Sequence, residues 1–223
     1  TGDYSWERAM NERLTDKLID EFQSLSAYPP KIKRMREIQK AVCTHAQIII
    51  TPSEYLKKIV VGWGIKPDKI RIIYNAVEEP KVGDKREAIK EKLGISDKTF
   101  FLVSSGRNVP WKGFQTLREV VQELSNSREL DSSKIELKIL HDVPRRVLHE
   151  YIRAADVYVL NTGYEGLSNT LVEVLYLGTP IITTNVCGNP EIIKNEVNGL
   201  LVPYNNAAEL KSAILRLYSD VGL

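Results

Sequence analysis

Two pairs of side chains have the types and spacing to do chemistry: the cations Arg107 and Lys112, and the carboxylates Glu165 and Glu173. The cations lie in Ser104-Ser105-Gly106-Arg107-Asn108-Val109-Pro110-Trp111-Lys112-Gly113. Gly106 and Gly113 allow close backbone approach, and two cations beside the start of a following helix suit a diphosphate. Orphan helix amides, the macrodipole and paired cations all favour an anion there. Taken alone, the stretch is equally well a turn with solvated basic residues. The carboxylates lie in Gly163-Tyr164-Glu165-Gly166-Leu167-Ser168-Asn169-Thr170-Leu171-Val172-Glu173, one in a loop and one about a turn into a helix. A capping Glu165 and a solvated Glu173 are the plain alternatives. Yet Glu173 sits among Leu171, Val172, Val174, Leu175 and Leu177, so its helix is apolar nearly all round. A buried carboxylate there needs a partner, and ligand hydroxyls would serve.

The elements that position these residues follow from apolar periodicity. Trp6, Met10, Leu14, Leu18, Phe22 and Leu25 recur at helical steps and predict one amphipathic helix over residues 4–25, stopped by Pro29-Pro30. A helix over 32–42 carries Met35, Ile38 and Val42 on one face, and Gln47-Ile48-Ile49-Ile50 reads as a short buried strand. Ser53 offers an N-cap for a helix over 54–61, and residues 69–74 form another strand. Periodicity is then lost in a polar linker reaching Asp84, which places a domain boundary after residue 78. Beyond it, strands at 100–104, 135–140, 157–160, 180–184 and 199–202 alternate with helices at 85–93, 114–124, 145–155, 169–177, 190–194 and 207–218. Such alternation predicts an α/β doubly wound parallel sheet over residues 79–223, with ligands beyond the carboxyl ends of the strands. Both chemical segments fall between a strand and a helix.

Composition narrows the class. Of 223 residues, 43% are hydrophobic and 27% charged, which is globular rather than disordered. A net charge of +2 with interspersed signs argues against nucleic acid as the main partner, so any anion site is local. Cys43 and Cys187 lack metal-ligand spacing and read as reduced thiols. Residues 1–8 show no signal-peptide pattern and no apolar run reaches membrane-spanning length, so a cytoplasmic protein is the default expectation. The polar, helix-like opening without Met suggests a chain cut from a longer one. His45, His141 and His149 are scattered and read as surface or satisfied core residues.

Several ordered blocks together resemble the family 4 group of retaining glycosyltransferases, of GT-B fold. Glu165 and Glu173, with Gly166 between, are similar to that group's E-x7-E motif. Gly106-Arg107 with Lys112-Gly113 resembles its G-R and K-G loop, and Ala155-Asp156-Val157, Gly178-Thr179-Pro180, Gly188-Asn189-Pro190-Glu191 and Asn198-Gly199-Leu200 are similar to its later blocks. Residues 52–56 and 69–77 resemble the end of the group's N-terminal Rossmann-like domain, so residues 1–78 would be a partial acceptor-side domain.

The resemblance implies transfer of a sugar from a UDP-, GDP- or ADP-linked donor with retention, without metal or further cofactor. Arg107 and Lys112 would clamp the diphosphate, and Glu165 would face the transferred sugar. Glu173 would bind the ribose hydroxyls. Gly106 and the amides of Gly166, Leu167, Ser168, Asn169 and Thr170 would cradle phosphate, and the loop 141–144 would meet the base through main-chain groups near Val143. The absence of a D-x-D triplet agrees with metal-free electrostatic catalysis. The acceptor stays open: a sugar, a lipid-linked sugar or another small molecule. Oligomeric state is not implied. Since several relatives work at membranes, Lys31-Ile32-Lys33-Arg34-Met35-Arg36 could touch acidic headgroups at the inner membrane face, against which a solvated helix face is the simpler reading.

Three departures weaken the implied activity: most of the N-terminal domain is absent, the group's Gly-rich loop, helix and strand are missing between Leu140 and His141, and its final crossing helix is missing. Two alternatives remain, a nucleotide-binding or assembly module without turnover and a GT-B-fold epimerase.

Overall fold

The structure is a computed structural model that describes residues 2–127, 130 and 134–219. Its larger part is a parallel sheet in the spatial order β4-β3-β5-β6-β7. These strands are β3 (Thr99–Ser105), β4 (Lys134–Leu140), β5 (Val157–Leu160), β6 (Ile181–Thr184) and β7 (Leu200–Val202). Because side chains alternate across a strand, one sheet supplies two cores. Phe101, Val103, Tyr158 and Leu160 pack under α5 (Arg86–Lys92), α7 (Arg145–Ala154) and α8 (Asn169–Leu177). Leu102, Val157, Val159 and Ile182 pack under α6 (Phe114–Asn126) and α10 (Ala207–Ser219). β3 has β4 on one side and β5 on the other, so the chain reverses direction across the sheet at β3. The carboxyl ends of β3 and β5 therefore flank a switch-point crevice, and the loops that follow them are residues 106–113 and 161–168.

The first part is smaller. β1 (Ile49–Thr51) and β2 (Ile70–Ile72) form a parallel pair, with α3 (Pro30–His45) before them and α4 (Glu54–Gly62) between them. Ser53 caps α4 as its sequence suggests, its Oγ accepting from the Leu56 amide at 3.1 Å. Ser53→Ala is expected to cost about 1 kcal/mol in chemical denaturation, with the unfolding slope unchanged. From Ile73 to Lys85 the chain has no helix or strand.

Three expectations are corrected here. The single helix over residues 4–25 is two: α1 (Tyr4–Asn11) and α2 (Ile19–Gln23). Arg13 adopts φ 56° between them, and the chain folds back so that Ile19 and Phe22 close over Trp6, whose Nε1 donates to the Lys17 carbonyl at 2.9 Å. Burying all three on one core outweighs the uninterrupted period. Pro30 begins α3 at its first turn, where a missing N–H is harmless, and Ile38 and Val42 on that helix are exposed. Arg36 is not solvated: its guanidinium is buried against Asp3 (3.3 Å) and Gln23 Oε1 (2.8 Å) and lies 4.8 Å over the Tyr28 ring.

Candidate functional site

At the switch point the loops after β3 and β5 are stitched by hydrogen bonds to main-chain carbonyls. The Gly163 amide donates to the Trp111 carbonyl at 2.7 Å, and Asn161 Nδ2 donates to the Gly113 carbonyl at 3.0 Å. A short 3₁₀ turn, Pro110–Lys112, buries Trp111 and so aims Lys112 across the crevice, where its ammonium pairs with Glu165. Both are largely shielded, with side-chain exposures of 12% and 17%. The Lys112 stem passes directly over Gly106, where an added Cβ would stand 3.1 Å from Lys112 Cε. The Glu165 backbone is fixed from the other side: its carbonyl accepts from the Gly188 amide at 3.0 Å, and a Cβ at Gly188 would meet the Gly166 carbonyl at 2.3 Å. His141 Nδ1 lies 2.6 Å from the Gly106 carbonyl, tying the loop after β4 to the same place.

Along α8 the remaining candidates follow. Ser168 is the N-cap, its Oγ accepting from the Leu171 amide at 3.3 Å, and Leu167 is buried with its carbonyl accepting from Asn75 at 3.3 Å. Gly166, Asn169 and Thr170 are half-buried. Asn169 and Glu173 share one helix face at i and i+4. Val143 is half-buried, with its side chain packed against the core. Glu173 is 1% exposed and is paired through Oε1 with Arg145, while His149 Nε2 stands 3.5 Å from Oε2. Arg145, His149, Asn169 and Glu173 line an open cavity of about 590 Å³ that the linker residues Ala76 to Glu79 border on the other side. Burial first, and the Arg145 guanidinium second, hold His149 below the usual imidazole range.

The structure thus brings together Gly106, Lys112, Glu165 and Gly166, and puts Glu173 and Asn169 in a neighbouring cavity. Arg107 is 63% exposed and reaches Glu7 of α1 at 3.5 Å. Beside that contact, Trp6 is wholly buried, with ring centroids 4.9 Å from Trp111 and 4.8 Å from Tyr164. No group of three or more His, Cys, Asp or Glu residues among the described residues could hold a metal ion.

This geometry can be set beside known proteins. The family model for group 1 glycosyl transferases matches residues 132–222, and that for Glycosyltransferase Family 4 matches residues 21–79. The chain belongs to the family 4 type of GT-B glycosyltransferases. The YtcC protein of Bacillus subtilis (strain 168) is 27% identical over 219 residues, covering 81% of this chain and 54% of its own length. The Escherichia coli UDP-Gal:alpha-D-GlcNAc-diphosphoundecaprenol alpha-1,3-galactosyltransferase is 24% identical, covering 82% and 54%. Among solved structures, Anabaena HepE in complex with UDP and glucose superposes with a TM-score of 0.70 at 17% identity, over 85% of this chain and 58% of that one. The chain spans about half the length of the curated relatives it matches.

For this glycosyltransferase chain, sequence reasoning missed four residues at the site. Trp6 and Tyr164 come from opposite ends of the sequence, and no local pattern pairs them. Arg145 and His149 did carry a signal, since both lie on one face of the helix that opens after the loop 141–144. His149 is also neither on the surface nor satisfied: it is 7% exposed, and its Nε2 has no hydrogen-bond partner among the described residues. Among the described residues no helix is long and apolar enough to cross a membrane.

Proposed function

We propose that this chain is the donor-binding part of a retaining glycosyltransferase that takes a sugar from a nucleoside diphosphate sugar and passes it to a hydroxyl acceptor without a metal ion. The observation that carries the reading is the shielded pairing of Lys112 with Glu165 in the switch-point crevice, directly before the capped start of α8. A diphosphate entering there meets the Lys112 ammonium and the α8 amides, with Arg107 at the rim able to exchange Glu7 for phosphate oxygens. Fixed cations and dipoles then meet the charge that grows on the departing nucleotide, which lowers the barrier by electrostatic preorganisation. Glu165, released from Lys112, is left facing the sugar. The UDP complex of HepE and the UDP-galactose specificity in the name of the E. coli relative support a nucleotide-sugar donor, and the latter supports a lipid-linked sugar as one acceptor class.

Calorimetry with UDP, GDP and ADP tests the binding half of this reading. One of the three is expected to bind the chain in the micromolar range, and adding salt should weaken binding. Binding of none of them would sink it. Donor hydrolysis and transfer assays test the chemical half, and tight nucleotide binding with no turnover on any donor would instead favour the non-catalytic module.

A further inference from the structure

Lys112 is held on both sides by the loop that carries its partner Glu165. The residue before it, Trp111, accepts from the Gly163 amide at 2.7 Å, and the residue after it, Gly113, accepts from Asn161 Nδ2 at 3.0 Å. Of these two bonds, the second comes from a side chain. Asn161 directly follows β5 and is 2% exposed, so water does not stand in for its amide. The loop after β7 sets its orientation: Asn205 Oδ1 accepts from the same Nδ2 at 3.1 Å, and the Asn205 amide donates to Asn161 Oδ1 at 3.2 Å. A flipped group would set its oxygen against the Gly113 carbonyl and its nitrogen against the Asn205 amide. The space is closed as well. At Gly113, where φ is 53°, an added Cβ would stand 2.3 Å from the Asn161 carbonyl oxygen, 2.6 Å from Asn161 Nδ2 and 2.7 Å from Asn205 Oδ1. The Gly113 carbonyl also accepts from the Leu117 amide at 3.2 Å, so Asn161 ties the residue after Lys112 and the first turn of α6 to one point.

We infer that Asn161 is a positioning residue that sets where the Lys112 ammonium stands in the crevice, with Asn205 holding its amide in the working orientation. The inference rests on the nucleotide-donor reading given above and adds to it the side chain that aims the clamp. A lysine stem is flexible, so the place of its ammonium depends on the backbone from which it starts. With Trp111 and Gly113 both bonded to the loop after β5, Lys112 and Glu165 share one frame. Removing the Asn161 amide frees one end of that span, and a misplacement of about 1 Å costs up to about 10²-fold in a preorganised site.

A double-variant cycle tests this by calorimetry with whichever of UDP, GDP and ADP binds the unaltered chain. Asn161→Ala is expected to weaken binding about tenfold where Lys112 is present, and by less than about twofold in the Lys112→Ala background. A bond that serves stability alone predicts either no loss in the folded variant or the same loss in both backgrounds. Either result overturns the inference while the donor reading stands. Asn205→Ala leaves the Gly113 bond in place but frees the amide to turn, and is expected to give a smaller loss with the same dependence on Lys112. No loss there overturns the part given to Asn205. Thermal melting shows at which temperature each variant is folded. Should Asn161→Ala not fold, the cycle with Asn205→Ala decides in its place, and no loss or an equal loss in both backgrounds overturns the inference. If no nucleotide binds the unaltered chain, the donor reading falls and this inference with it.

Discussion

Lys112→Ala is expected to lower kcat/KM for sugar transfer by about 10²–10³-fold, the usual effect of removing one preorganised charge-stabilising group. Nucleoside diphosphate affinity should fall with it, because the ammonium meets the diphosphate in the ground state as well. A purely structural ion pair makes a different prediction. Lys112 is bonded to Glu165 in a shielded crevice, so Lys112→Ala alone leaves a carboxylate without its partner. The double variant Lys112→Ala with Glu165→Gln removes that stranded charge. If the pair serves only stability, the double variant recovers nucleotide binding. If Lys112 clamps the diphosphate, it does not. Calorimetry on the four members of the cycle decides between them, and full recovery in the double variant would rule out the clamp.

Trp6→Ala is expected to destabilise the chain by about 3–5 kcal/mol, as for other large aromatic deletions from a core. Trp6 is fully buried and wedged against Trp111 and Tyr164, and each of these neighbours is one position from a residue of the Lys112–Glu165 pair. The loss should therefore not be confined to stability. Without the indole, the turn that aims Lys112 and the loop that carries Glu165 both lose a wall, and nucleotide affinity should fall under conditions where the variant is still folded. Guanidinium denaturation gives the first quantity and calorimetry the second. A loss below about 1 kcal/mol with unchanged affinity would mean that α1 lies loosely on the crevice.

The parts legible in the sequence are those in which a short-range pattern and a long-range requirement agree. α8 is an example: an apolar helix with Ser168 at its cap, bounded by Gly178 in the left-handed region, needs nothing from elsewhere to be read. The alternation of β3 to β7 with their helices likewise specifies a doubly wound sheet, and with it the end at which the crevice opens. The loop residues Lys112 and Glu165 were legible as candidates because strand ends are where such a sheet places ligands. What could not be read depends on contacts between distant segments. The bend at Arg13 exists because Trp6, Ile19 and Phe22 share one core with Trp111 and Tyr164, a demand invisible over any window of twenty residues. The contact of Arg107 with Glu7 of α1 likewise joins segments a hundred residues apart, which no local pattern announces. His149 looked incidental because its meaning comes from Glu173, which lies on another helix.

One contact carries a mechanical consequence. The carboxylate of Glu191, on the short helix Asn189–Ile192 beyond β6, accepts from the Glu54 amide at 2.9 Å and the Tyr55 amide at 2.8 Å, so it sits on the positive end of α4. Two directional bonds from one rigid group to consecutive amides tolerate a small tilt and resist sliding, since a shift of one residue would break both and strand the charge. Together with Trp6 wedged between Trp111 and Tyr164, this anchor fixes the first part of the chain against the segments that follow the sheet strands at two separate points.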